Sequence, residues 1–287
     1  MDDRPDADLA RLRDWIGRTE TRGDEVGASA VAAMAAALDR DDPAPLPGSA
    51  LPPLWHWMFF NPAEPQHRLG PDGHPLRGGF LPPVPLPRRM WAGGRLSFHH
   101  PLRVGDELTR RSHIADVAVK HGRSGPLVFV TVRHEITNAQ GLALTEEHDI
   151  VYREAPAPGA PAVPPQAAPR DEACARRLLP DPVLLFRYSA LTFNGHRIHY
   201  DRPYATGVEG YPGLVVHGPL IATLLLDLLR RERPDAVLRR FEFAARRPVF
   251  DQQPLELCGR PDGAGAWRLW ARDHDGWLAM QARAELG

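Results

Sequence analysis

The chain has one lysine, two cysteines and no long apolar run, and what is missing narrows its class. Lys120 is the single lysine, yet Lys plus Arg number 35 against 36 Asp plus Glu, a formal net charge of −1. That balance offers no basic field for nucleic acid or for an anionic membrane surface. Cys174 and Cys258 form neither a metal-ligand spacing nor a disulfide framework, which fits a reducing, cytoplasmic setting. An uninterrupted apolar stretch of about 18 residues is absent, so no membrane span is expected. The acidic opening Met-Asp-Asp-Arg-Pro-Asp has no apolar h-region, so no secretory signal is expected either.

What is present divides into two similar parts. Residues 155–170 (APAPGAPAVPPQAAPR) are nearly all Pro, Ala and Gly, a composition that sustains neither helix nor ladder and reads as an extended link. Before it, Leu9, Leu12, Trp15 and Ile16 recur at helical spacing, and residues 29–38 are Ala-rich with high helix propensity. The Pro- and Gly-rich stretch 45–87 predicts irregular structure with one short helix near 54–59. His99-His100 reads as the beginning of a strand. Val128, Val130 and Val132 alternate with Phe129, Thr131 and Arg133, the period of a half-buried strand, and a turn at 138–141 leads to another over 142–153.

After the link the order repeats. A short strand over 183–188 is expected, then a His-rich segment, an apolar helix over 218–231, and strands over 237–246, 255–260, 266–272 and 278–286. His100-Pro101 is followed by Leu108, and Arg247-Pro248 by Leu255 at the same interval, each entering a strand. A duplicated α+β unit is implied. A helix wrapped by an antiparallel sheet is the hot-dog arrangement. Two copies, 1–154 and 171–287, would join their helix-wrapped sheets into one continuous sheet, a double hot-dog.

The segment 188–205, Tyr-Ser-Ala-Leu-Thr-Phe-Asn-Gly-His-Arg-Ile-His-Tyr-Asp-Arg-Pro-Tyr-Ala, gathers two His, an Asn and an Asp just before a glycine-opened helix. A helix N-terminus offers unpaired N–H groups that polarise a thioester carbonyl, and a nearby histidine moves protons near neutrality. His196 and His199 are also spaced to share a helix face, and with Asp201 they could ligate a metal. No third strong ligand and no His-Glu-x-x-His pattern accompanies them, so no metal is expected.

This segment resembles the motif of the MaoC-like and R-specific enoyl-CoA hydratases, Ser-Gly-Asp-x-Asn-Pro-Leu-His with a downstream His-Gly. Thr192 matches the Ser, Asn194 the catalytic Asp, His196 the Asn and His199 the catalytic His, while His217-Gly218 matches the His-Gly. Phe193 and Arg197 replace the usual Gly and Pro. Thr-Phe-Asn-x-His-Arg-Ile-His-Tyr-Asp is similar to one branch, the type 2 hydroxyacyl-thioester dehydratases with the bacterial mesaconyl-C4-CoA and itaconyl-CoA hydratases. Asp14-Trp-Ile-Gly-Arg18 and the region from Gly78 to Gly94 share that likeness, so it spans nearly the whole chain.

The resemblance implies a hydro-lyase acting on a CoA thioester without metal or redox cofactor. His199 is then the general base, Asn194 holds the water, and the Gly218 N–H stabilises the enolate oxygen. Arg197 or Arg202 would meet a free carboxylate of a dicarboxylic acyl group, and Arg88 and Arg89 would meet CoA phosphates. His196 is either a substrate contact or a turn anchor, and His217 either a substrate contact or a helix cap. Trp55, Trp57 and Trp91 are acyl-pocket lining or, more commonly for tryptophan, core. Itaconyl-CoA or mesaconyl-C4-CoA going to citramalyl-CoA is the leading reading. A 3-hydroxyacyl-ACP or -CoA dehydratase, a thioester-binding module without turnover and a thioesterase are the alternatives. A monomer or a homodimer is compatible with either.

Overall fold

A computed structural model describes residues 9, 11–122, 125–154 and 164–287. Ten strands form one antiparallel sheet in the order β1-β3-β4-β5-β2-β7-β10-β9-β8-β6. The order reads the same from either end if β6 to β10 are taken as copies of β1 to β5. The first five are Thr19–Glu25, Arg88–Phe98, Glu107–Gly122, Gly125–Asn138 and Gly141–Arg153, and the second five are Cys174–Leu178, Leu238–Ala245, Leu255–Pro261, Ala266–Arg272 and Leu278–Leu286. The sheet is the double hot-dog expected from the sequence.

One hydrogen-bond detail carries the duplication down to single atoms. The His99 and His100 amides both donate to Ala143 O, at 2.8 and 3.4 Å, and the Arg246 and Arg247 amides both donate to Ala279 O, at 2.8 and 3.3 Å. Ala143 lies in β5 and Ala279 in its copy β10. The two His/Arg-Pro sequences therefore make the same turn into equivalent strands, β3 and β8. His99-His100 closes β2 rather than beginning a strand, which corrects the sequence reading.

The halves meet where β2 pairs with β7, from Gly93↔Ala244 to Ser97↔Arg240. Gly93 is required there: a Cβ would lie 2.5 Å from Phe243 O. The outer strands β1 (TETRGDE) and β6 (CARRL) are charged, which blunts edge-to-edge pairing and also hides them from a search for apolar alternation.

Helices are unequally shared. The first half has α1 (Ala28–Ala37) and 3-10 turns at Leu12–Trp15, Trp55–Met58 and Gln66–Arg68. The second has α2 (Pro182–Leu191), α3 (Arg202–Gly207) and the long α4 (Gly218–Glu232). The strand expected over 183–188 is in fact α2. Asp181 caps it, accepting from Leu184 N at 2.7 Å, and Pro182 opens it, a start signal that outweighs the β-forming Val183 and Phe186. Of the helix expected around Leu9 to Ile16, Leu9 and Arg11 are helical and Leu12–Trp15 follow as a 3-10 turn, after which Gly17 adopts φ +83 and turns the chain into β1. Of the link, 155–163 lie outside the described residues. Its remainder packs on the second half, with Ala167 bridging Trp277. No helix among the described residues is long and apolar enough to cross a membrane.

Residues 220–229 of α4 are all buried, including Asp227. Its carboxylate is met by three arginines: Arg40 Nη1 at 2.8 Å from the first half, Arg176 Nη1 at 3.0 Å from β6, and Arg231 Nε at 2.8 Å on α4 itself. Arg231 also donates to Leu38 O and Asp39 O, so this cluster fastens α4 to the first half. Removing the carboxylate leaves Arg176 and Arg231 without a carboxylate partner among the described residues and Arg40 with Asp42 alone. Asp227→Ala should therefore cost about 3 kcal/mol of stability, read as a lowered urea midpoint. Arg176→Ala, which leaves Asp227 two partners, should cost less.

Candidate active site

The His-rich loop 192–201 runs from the end of α2 to the start of α3 and is fixed at both ends by its own backbone. Asn194 N donates to Ser189 O at 2.8 Å, and Asn194 Oδ1 accepts from His196 N at 3.0 Å. Thr192 Oγ1 donates to Tyr188 O. Phe193 takes φ +49, a left-handed conformation that glycine adopts without strain, with its ring exposed. Asp201 caps α3 through Tyr204 N.

His199 is buried, and its Nδ1 lies 2.7 Å from Val215 O. A carbonyl only accepts, so Nδ1 carries the hydrogen and Nε2 presents its lone pair. Burial pushes its pKa down to about 4, the Val215 bond opposing, so the ring is neutral around pH 7. His217 stacks on it with ring centroids 3.7 Å apart and shares a 2.8 Å hydrogen bond between Nε2 and Ser189 Oγ. Burial drives His217 toward its neutral form as well. Gly218 follows as the first residue of α4. A Cβ there would meet nothing within 4 Å, so the Cα that opens the helix is not packed against by other atoms.

The first half reaches into this site. Residues 70–76 form a tight loop in which Gly73 has φ +87. A Cβ on Gly73 would come 1.9 Å from Gly195 O, and one on Gly195 would come 2.9 Å from Gly73 O. The two glycines thus let the loops touch. Arg197 N donates to Asp72 O and Arg197 Nη1 to Pro71 O, both at 2.9 Å. Contact brings the His74 ring 4.2 Å from His196, whose ring meets His199 edge-on at 5.5 Å. Asp72 holds His74 twice, Oδ1 to its amide at 3.0 Å and Oδ2 to Nδ1 at 3.1 Å. Burial opposes the charge of Asp72, but His74 outweighs it and keeps the carboxyl below its ordinary range. Burial, reinforced by neighbouring positive charge, holds His196 neutral.

Sequence reasoning passed over Asp72 and His74, because Asp-Gly-His inside a Pro/Gly-rich stretch reads as a turn. The metal set considered from the sequence is not assembled, since Asp201 is bound by Arg197 Nε and Nη2 at 2.9 and 2.7 Å. Donor atoms of Asp72, His74 and His196 do lie within 4.8 Å of one another. The His74 and His196 rings are tilted by 43° to one another.

The four arginines separate by partner. Arg197 is occupied by Asp201 and stacks over Tyr204 at 4.1 Å. Arg202 pairs with buried Asp251, which also accepts from Leu214 N. Arg88 donates to Glu209 O and lies over Tyr211. Arg89, half-buried and paired across strands with Tyr152, has no carboxylate partner among the described residues. Trp57 and Trp91 pack edge-to-face at 4.8 Å with Phe243 beside them, while Trp55 is core.

Comparison with known proteins agrees with this architecture. The family model described as hydroxyacyl-thioester dehydratase type 2 matches residues 54–251. A mesaconyl-C(4)-CoA hydratase of Chloroflexus aurantiacus is 51% identical over 273 residues, covering 95% of this chain and 97% of that protein. Among solved structures, a MaoC-like dehydratase superposes with TM-score 0.73 at 16% identity, covering 96% of this chain and 99% of its own. A Mycobacterium tuberculosis protein with a double hotdog fold superposes at TM-score 0.60 and 16% identity, covering 95% and 96%. The two structural likenesses show the fold. The match of the family model over most of the chain, together with the 51% relative, shows that the chain belongs to the type 2 hydroxyacyl-thioester dehydratase family.

Proposed function

We propose that the chain hydrates a short dicarboxylic enoyl-CoA, mesaconyl-C4-CoA or itaconyl-CoA, to citramalyl-CoA. The observation that carries this is His199: its Nδ1 is fixed on Val215 O, so the neutral ring turns Nε2 outward as a base. It stands beside the opening of α4, in a chain 51% identical to a mesaconyl-C(4)-CoA hydratase.

With the mesaconyl-C4 thioester, His199 Nε2 takes a proton from water as the oxygen bonds to Cβ. The double-bond pair moves toward the thioester, whose oxygen becomes an enolate held by the Gly218 N–H. Cα then takes a proton and the thioester re-forms. Asn194, unable to exchange a proton, holds and orients the water. His196 and His217 keep His199 in place. Residues 171–287 carry the reacting groups, residues 1–154 shape the acyl and CoA pocket, and 155–170 join them. The reading has the chain acting in the cytoplasm on a CoA thioester, as a monomer or homodimer, without nucleic acid or membrane.

In citramalyl-CoA the hydroxyl and the free carboxylate share one carbon. The carboxylate of the substrate therefore lies next to the attacking water, and its cation must lie next to the histidines. Arg197 and Arg202 already hold Asp201 and Asp251. Arg89 is left, close enough to act electrostatically on His74 and His196. Beyond it the first half holds a cluster of polar side chains among its apolar ones. His148 lies 3.7 Å from Trp91, His134 Nδ1 bonds Ser112 Oγ, and Glu146 is held by His56 and Trp57. Such a cluster suits a short charged acyl group better than a fatty chain.

Purified protein should add one water to mesaconyl-C4-CoA or itaconyl-CoA, followed by absorbance and mass. His199→Ala should lower kcat by roughly 10²-fold or more. Turnover of crotonyl-CoA alone would instead assign a fatty-acyl dehydratase, and no turnover of any of the three a binding module. The base must be unprotonated, and burial lowers its pKa. kcat/KM should thus stay level as pH falls through 6.5 and decline only toward about 4. Arg89→Gln should lower kcat/KM for the dicarboxylic thioester about 100-fold and leave any crotonyl-CoA turnover nearly unchanged. Equal losses on both would place Arg89 outside carboxylate recognition.

A further inference from the structure

Hydration passes through an imidazolium: His199 becomes positive when it takes the proton of water. In the MaoC-like and R-specific hydratase motif a carboxylate stands five residues before this histidine, and here Asn194 stands there, as in the pattern of the type 2 branch. The second half does not make good the loss. Asp201 is held by Arg197 and caps α3, and Asp251 is held by Arg202 and Leu214 N.

A carboxylate does reach the cluster, from the other half of the chain. Asp72 sits at the tip of the loop 70–76, bonded through Oδ2 to His74 Nδ1 at 3.1 Å. His74 lies ring to ring with His196, 4.2 Å between centroids, and His196 meets His199 at 5.5 Å. The loop has no freedom to withdraw. Its Gly73 touches Gly195 backbone to backbone, and Asp72 O accepts from Arg197 N. Side chains at either glycine would push the two loops apart.

Resting on the function proposed above, we infer that Asp72 is the carboxylate of this active site. Supplied by the first half and acting through His74 and His196, it provides the negative counter-charge that Asn194 lacks. Asp72 and His74 are positioning residues and touch no reacting atom. The proton still passes from water to His199 Nε2, and a proton is returned to Cα, so the balance of the reaction is unchanged. What Asp72 changes is the energy of the charged intermediate state. An anion two ring contacts away in a partly buried site, where the effective dielectric is well below that of water, stabilises an imidazolium enough to alter the rate by about 10- to 100-fold.

The test measures mesaconyl-C4-CoA hydration by the full chain carrying Asp72→Asn. That substitution keeps the backbone contact to Arg197 and an oxygen for the His74 amide. The expected result is kcat lowered about 10- to 100-fold with KM within about twofold and an unchanged thermal midpoint. Adding Asn194→Asp, which returns a carboxylate to the loop, should recover part of the lost kcat. Unchanged kcat in Asp72→Asn overturns the inference. So does a loss that comes with raised KM and a lower melting point and that Asn194→Asp does not recover, since that is the behaviour of a structural residue. An inactive wild-type chain, measured alongside, would remove the proposed function itself and this assignment with it.

Discussion

The pairing of β2 with β7 is the constraint from which the rest of the molecule follows. It joins two five-stranded units into one sheet and sets their relative position by backbone hydrogen bonds rather than by side-chain packing alone. The approach is so close that Gly93 cannot carry a side chain without striking Phe243 O. Because β2 is preceded by the long irregular stretch 38–87, fixing β2 also fixes where that stretch lies. Its turn at 70–76 falls on the His-rich loop of the other half. The site is composite because the seam is.

Burial then decides the charge state of the site. His196, His199 and His217 each lose water without gaining a carboxylate in direct contact, and burial is the largest influence on each, driving them neutral. A neutral imidazole is what a base requires, so the same desolvation that weakens the fold in acid prepares the reaction. The molecule places its tightest ion cluster elsewhere. Asp227 and its three arginines sit on α4, where they tie the helix to Leu38 and Asp39 of the first half. The ion cluster thereby sits on the body of α4, while the proposed chemistry sits at its first turn.

Much of this was legible in the chain. Alternation gave the middle of β4, and β5 and the run from β7 to β10 were placed within a residue or two. α4 was plain from its apolar run and opening glycine. What escaped had other causes. β1 and β6 are edges, and charge at an edge prevents aggregation while erasing the apolar period. α2 looked like a strand because Val183, Phe186 and Tyr188 favour one. Asp181-Pro182 was the better guide, being a cap and a first-turn proline. Asp72 and His74 were invisible for a deeper reason. Their meaning depends on a contact with residues more than a hundred positions later, and only the paired glycines Gly73 and Gly195 hint that two backbones must touch.

Phe193 and Asn194 depart side by side from the MaoC-like motif, and their consequences differ. Phe193 keeps the left-handed turn that glycine would make, at φ +49, and turns its ring to solvent, so the loop path survives the exchange. Asn194 keeps the hydrogen bond to His196 N that an aspartate would accept, so the geometry survives there too. What does not survive is the charge. The site then holds Arg89 without a carboxylate of its own and Asp72 already engaged by His74. A neutral acyl chain would leave Arg89 half-buried and uncompensated, whereas the free carboxylate of the proposed substrate would meet it. The charge that position 194 gives up is supplied, on the inference above, by Asp72 from the first half, and Arg89 is left for the carboxylate of the proposed substrate.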